Sequence, residues 1–126
     1  MDFLPDSNVL INFFSGLEPD CGFLSKLLQK NKLHLSVIVI AEILSKATPK
    51  EKNDLQELCS IGKIETIGEN TAVLAGEYRY GYRNKTKKVY LLDCLLAATC
   101  KETSTTLITN NTSDYPMRDI KVIKPS

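Results

Sequence analysis

Apolar positions along this chain switch repeatedly between strand-like and helix-like spacing, and each switch marks an element boundary. Residues 1–4 read as a short strand, and Asp6 or Ser7 then caps a helix that Gly16 ends. A second helix is expected over 20–31 and a strand over 32–35. Ser36 caps a third helix running to about Ala47. Thr48-Pro49-Lys50-Glu51 is a capping box with proline at the first helical position, which starts a fourth helix ending near Ile61.

Residues 63–67 alternate like a strand, 69–82 carry helical periodicity, and 84–88 form a basic loop. Leu92, Leu95, Leu96 and Thr99 share one helical face, which predicts a helix over 91–103. A strand at 105–109, a polar turn at 110–116 and a last strand at 120–123 complete the pattern. Helices alternating with short β-rich segments predict an α/β fold with a mostly parallel sheet covered on both faces. Pro5 sits awkwardly in an inner strand because it lacks a ladder donor, and ending the first strand at Leu4 removes the conflict.

With 126 residues the chain has the size of one domain, 1–126. Its net charge of +1 excludes a global field for nucleic acid, so any such role must rest on a local patch. The apolar runs are too short for a membrane span, and the acidic start at Asp2 does not resemble a secretion signal. Cys21, Cys59, Cys94 and Cys100 lack the close pairing of a zinc site, and only His34 could join them; buried thiols in a cytoplasmic protein are expected.

The candidate chemistry lies in four acids, each alone in a stretch free of other formal charge: Asp6, Glu42, Asp93 and Asp114. A buried carboxylate is costly unless paired, hydrogen-bonded or metal-bound. Ligands in open α/β sheets gather at the carboxyl ends of strands, which is where Asp6 and Asp114 fall. Bland roles exist for each: an N-cap for Asp6, a first-turn acid for Asp93, an Asx turn for Asp114 and a solvated face for Glu42. Together in one crevice they would repel one another, and a hard cation such as Mg²⁺ or Mn²⁺ would relieve the repulsion. No P-loop, dinucleotide fingerprint or Ser–His–Asp set is present.

DSNVLINFF from Asp6, SVIVIAEIL ending near Glu42, LLDCLLAATC around Asp93 and LITNNTSDYP through Asp114 resemble, in that order, the PIN domain family, above all its small VapC-type toxins. The resemblance implies a three-layer α/β/α sandwich, Mg²⁺- or Mn²⁺-dependent endoribonuclease activity, frequent homodimers and inhibition by a cognate antitoxin. It assigns Asp6, Glu42 and Asp93 to the three core acids and Asp114 to the more variable fourth. Asp6 and Asp93 are expected to hold the metal most directly, with Ser7, Thr109 and Asn111 in supporting hydrogen-bonding positions. The implied reaction is in-line attack of an activated water, leaving 5′-phosphate and 3′-hydroxyl ends.

A second feature is the stretch from Arg79 to Lys88, which holds Arg79, Arg83, Lys85, Lys87 and Lys88 and no acid. With Tyr80 among them it could stack and neutralise single-stranded RNA. It could equally be a solvated helix end whose Tyr78 and Tyr82 pack inward. Two rival readings of the whole chain stand beside the nuclease. One is an idle PIN-like module that binds RNA or protein; the other is a phosphoacceptor receiver domain, which the lack of adjacent acids after the first strand disfavours.

Overall fold

The computed structural model describes residues 1–126 and places five short parallel strands at the centre. β1 (Asp2–Pro5) pairs with β4 (Thr105–Ile108), and β4 pairs with β5 (Val122–Ile123). β2 (His34–Ser36) pairs with β3 (Lys63–Glu65). A bridge between Phe3 and Leu33, where the Phe3 N–H donates to the Lys32 carbonyl at 2.8 Å, joins the two pieces. The resulting order is β3-β2-β1-β4-β5. The order of connection therefore reverses between β1 and β4, making their carboxyl ends the switch point where α/β folds gather ligands.

Six helices cover this sheet: α1 (Ser7–Phe14), α2 (Asp20–Gln29), α3 (Val37–Leu44), α4 (Pro49–Ile61), α5 (Glu69–Gly81) and α6 (Leu91–Thr103). β2 and β4 are buried at every residue, as expected of parallel strands with helices on both faces. The architecture is the three-layer α/β/α sandwich expected from the sequence. Leu4, Leu35, Leu107 and Ile108 bring the strands into the core against Leu10, Leu24, Ile43, Leu55 and Leu96 from the helices. No helix is long and apolar enough to cross a membrane.

Most element boundaries fall within two or three residues of the sequence reading, and the differences have physical causes. Pro5 belongs to β1 after all, opposite Ile108. Its ring nitrogen faces the same side as the Phe3 N–H, toward β2, where the pairing has already lapsed, so no ladder donor is missing. The third helix stops at Leu44 rather than Ala47. There the Ser45 hydroxyl turns back to the Glu42 carbonyl and the Lys46 N–H to that of Ile43, tightening the last turn before the Thr48 cap. The last strand keeps only Val122 and Ile123, which pair with Leu107 and Ile108 at the end of β4. The Thr48–Glu51 capping box forms as read, with both reciprocal bonds present.

The cysteines are all free thiols, two of them buried, and burial pushes the Cys100 thiol up to about 11. His34 joins none of them. Its Nε2 lies 2.7 Å from Asp2 Oδ2 and its Nδ1 2.9 Å from Glu65 Oε1, so the ring ties β1 to β3 across β2.

Candidate active site

Asp6 directly follows β1 and serves as the N-cap of α1, its Oδ1 accepting the Val9 N–H at 3.0 Å. Its Oδ2 accepts the hydroxyl of Thr109, the residue after β4. Thus the N-cap role foreseen as a bland alternative is real, and it fixes the carboxylate at the mouth of the crevice. The side chain is 7% exposed. Thr109, fully buried, also accepts the backbone N–H of Asn111 at 3.0 Å. Ser7 is the first residue of α1 and its hydroxyl makes no hydrogen bond; Asn111 joins the site through its backbone.

Glu42 projects from α3, which Ser36 caps through an Oγ that accepts the Ile38 N–H at 3.1 Å. Asp93 lies in the first turn of α6, and its Oδ1 accepts the Tyr115 hydroxyl at 3.2 Å. Asp114 ends a single 3-10 turn, Thr112–Asp114, beyond β4. Its Oδ1 lies 2.8 Å from the Lys87 ammonium.

The four acids are electrostatic neighbours. Burial raises the Asp6 carboxyl, and the charges of Asp20 and Asp114 add to the rise against the Thr109 and Val9 bonds. Burial likewise raises Glu42, with Asp93 and Asp6 reinforcing it, and raises Asp93, with Asp114 and Asp6 reinforcing it. Tyr115, buried over the same charges, has its phenol pushed well above the ordinary range by burial and by Asp93, Asp6 and Glu42.

This donor set fits a hard divalent cation, since every candidate ligand is a carboxylate oxygen. No three of the chain's acidic, histidine or cysteine side chains stand close enough to ligate one ion together.

Two participants were not foreseen. Asp20, the first residue of α2, is buried, and its Oδ2 accepts both Asn12 Nδ2 at 2.8 Å and Asn110 Nδ2 at 2.9 Å. It clamps α1, α2 and the segment after β4 around Asp6. Glu18, two residues earlier, hides Asp20 from any search for isolated acids. Tyr115 was also passed over, although it neighbours Asp114 in a polar turn.

Along the basic stretch, Tyr78 and Tyr82 turn inward, donating their hydroxyls to Asp119 Oδ1 at 2.7 Å and to the Pro116 carbonyl at 3.1 Å. Tyr80 remains 67% exposed with the Arg83 guanidinium 3.8 Å from its ring centroid. Lys85 and Lys88 lie over Tyr82 and Tyr90, and Arg79 stands in the last turn of α5. Tyr78 and Tyr82 thus anchor the segment, while Tyr80 is left outward beside cations.

A small α/β protein with a parallel sheet and acidic side chains near the β1–β4 switch point defines the class. The particular family follows from comparison: the PIN domain matches residues 3–120, and the chain belongs to that family. It is a homologue of VapC-type ribonucleases, being 28% identical over 114 residues to ribonuclease VapC10 of Mycobacterium tuberculosis, covering 90% of this chain and 86% of that one. Among solved structures it is similar to FitAcB of Neisseria gonorrhoeae, with TM-score 0.73, 26% identity and coverage of 98% and 97% of the two chains. It also shares the fold of VapBC2 from Rickettsia felis bound to a promoter DNA fragment, with TM-score 0.81, 23% identity and 98% of each chain covered. A receiver domain is thereby excluded.

Proposed function

We propose that this chain is a divalent-metal-dependent endoribonuclease, the toxin of a toxin–antitoxin pair, with RNA as substrate and a cognate antitoxin as inhibitor. It would work in the cytoplasm as a homodimer. The observation that carries this reading is that Asp6, Glu42, Asp93 and Asp114 feel one another's charge, three of them being raised by burial and by their acidic neighbours. Such a cluster is unfavourable without a cation. The likeness to VapC10, named a ribonuclease, and to a VapBC complex supports the same conclusion.

Asp6 and Asp93 would hold Mg²⁺ or Mn²⁺ most directly, and Glu42 and Asp114 through water. When bound, the ion supplies a Lewis acid that favours ionisation of water and offsets negative charge growing on a phosphodiester. The chain's own residues provide the geometry. Thr109 and the Val9 N–H fix the Asp6 carboxylate, and Tyr115 fixes that of Asp93. Ser7 would serve as a supporting polar position through a hydroxyl left free, and Asn111 through its backbone N–H on Thr109. Glu42 and Asp114 are placed to orient the attacking water, with cleavage leaving 5′-phosphate and 3′-hydroxyl ends. Arg79, Tyr80, Arg83, Lys85, Lys87 and Lys88 would offer single-stranded RNA cations and one open ring, with Lys87 nearest the acids.

The test is cleavage of a mixed, end-labelled single-stranded RNA pool with Mg²⁺, Mn²⁺ or EDTA, comparing wild type with Asp93→Asn. Metal-dependent cutting that leaves 5′-phosphates and disappears in the variant is expected. RNA binding with no cutting by folded, metal-loaded protein would instead identify an idle binding module.

A further inference from the structure

Four ion pairs are formed in this chain, and only that between Lys87 and Asp114 involves a member of the acid cluster. Lys87 comes from the loop between α5 and α6. Its ammonium lies 2.8 Å from Asp114 Oδ1 and donates to Ser113 Oγ at 2.7 Å. Its charge also reaches Asp93, opposing the rise that burial imposes there. The other cations of the loop are engaged differently: Arg83 stacks on Tyr80, Lys85 lies over Tyr82 and Lys88 over Tyr90. Lys87 alone turns from the aromatic rings into the mouth of the crevice.

The contact is readily broken. The Lys87 side chain is 59% exposed and that of Asp114 35%, and an ion pair so open to water is weak and screened by salt. Fixing a structural loop would be a poor use of such a bond. A lysine ammonium is, however, a compact point charge with three donors, suited to a phosphate oxygen.

We infer that Lys87 is a phosphate-positioning residue of the cleavage site, parked on Asp114 and Ser113 in the free protein and handed to the RNA backbone when substrate and divalent ion arrive. The inference rests on the nuclease reading and assigns the substrate contact at that site. In the free protein the ammonium and the ion compete for Asp114, so arrival of the ion releases the lysine. RNA entering the crevice then meets a cation already held beside the acids.

The first readout needs neither RNA nor catalysis. Mn²⁺ titration followed by electron paramagnetic resonance should give Lys87→Gln an affinity roughly three- to tenfold tighter than wild type, because one competing charge is gone. Lys85→Gln removes the same charge from the same loop and should leave Mn²⁺ affinity near wild type. The second readout is binding of a short single-stranded oligoribonucleotide to the Asp93→Asn protein with and without Lys87→Gln. Losing one phosphate contact should lower the slope of log affinity against log salt by about 0.7, and Lys87→Arg should restore it. In the active protein, Lys87→Gln should raise KM more than it lowers kcat.

Unchanged Mn²⁺ affinity in Lys87→Gln, equal tightening in Lys85→Gln, or an unaltered salt slope would each overturn the inference. If the expected Mn²⁺ and salt effects were found but wild type cut no RNA, the handover would stand as a binding device and the nuclease reading alone would fall.

Discussion

The hydroxyl of Thr109 donates to the carboxylate of Asp6, a residue 103 positions earlier in the chain. The bond spans the switch point of the sheet, joining the ends of the paired strands β1 and β4. Both partners are buried, so removing the donor leaves an acceptor without solvent to replace it. Thr109→Val should therefore cost about 1–3 kcal/mol in urea unfolding, whereas Thr109→Ser, which keeps the hydroxyl, should cost less. The same Val variant should raise the Asp6 pKa further, as read by carboxyl-labelled NMR titration.

A second prediction concerns pH. Asp6, Glu42 and Asp93 are raised in the folded protein, so it binds more protons than the unfolded chain once pH passes the ordinary carboxylate range near about 4. These three groups therefore contribute stability at low pH that is lost as pH climbs through their raised values. In EDTA, Asp93→Asn should narrow this loss, its Tm gaining on wild type as pH rises. Added Mg²⁺ should lift the wild-type Tm more at neutral pH than at pH of about 5, since protonated carboxylates bind it poorly. Thermal scans across that range with both proteins provide the check.

Asp2 carries the opposite sign. The hydrogen bond from His34 holds its carboxyl below the ordinary value, so its contribution exists above about pH 4 and disappears as pH falls through the lowered value. Asp2→Asn should be less stable than wild type at neutral pH, and the two melting curves should converge in acid.

Ser104 ends α6 with φ of 54°, in the left-handed region that glycine tolerates best. Ser104→Gly should raise stability by about 0.5–1 kcal/mol, and a β-branched residue there should lower it. Denaturant midpoints of Ser104→Gly and Ser104→Val would separate the two effects.

Local signals made much of this protein legible in its sequence. The Thr48–Glu51 box and the spacing of Leu92, Leu95, Leu96 and Thr99 placed two helices almost to the residue, because caps and periodicity act over a few positions. The candidate acids stood out because each interrupts an apolar run. What stayed hidden depends on distant partners. Nothing near Pro5 reveals that its neighbouring ladder has lapsed, and nothing near Asp20 reveals that Asn110, 90 positions later, will come to it. Lys87 read as one cation among five, and only the folded loop distinguishes it from Lys85.

The bond between the first and fourth strands has a consequence in time. Translation produces Asp6 near the beginning and Thr109 near the end, so a nascent chain carries the first acid long before it has the hydroxyl that orients it. Asp93 and Asp114 are likewise late arrivals, and β1 has no neighbour at its β4 edge until they have been made. A fragment released from a broken message would lack the site altogether rather than possess a weakened version of it. The order of the sequence thus makes completion of the acid cluster one of the last events of synthesis.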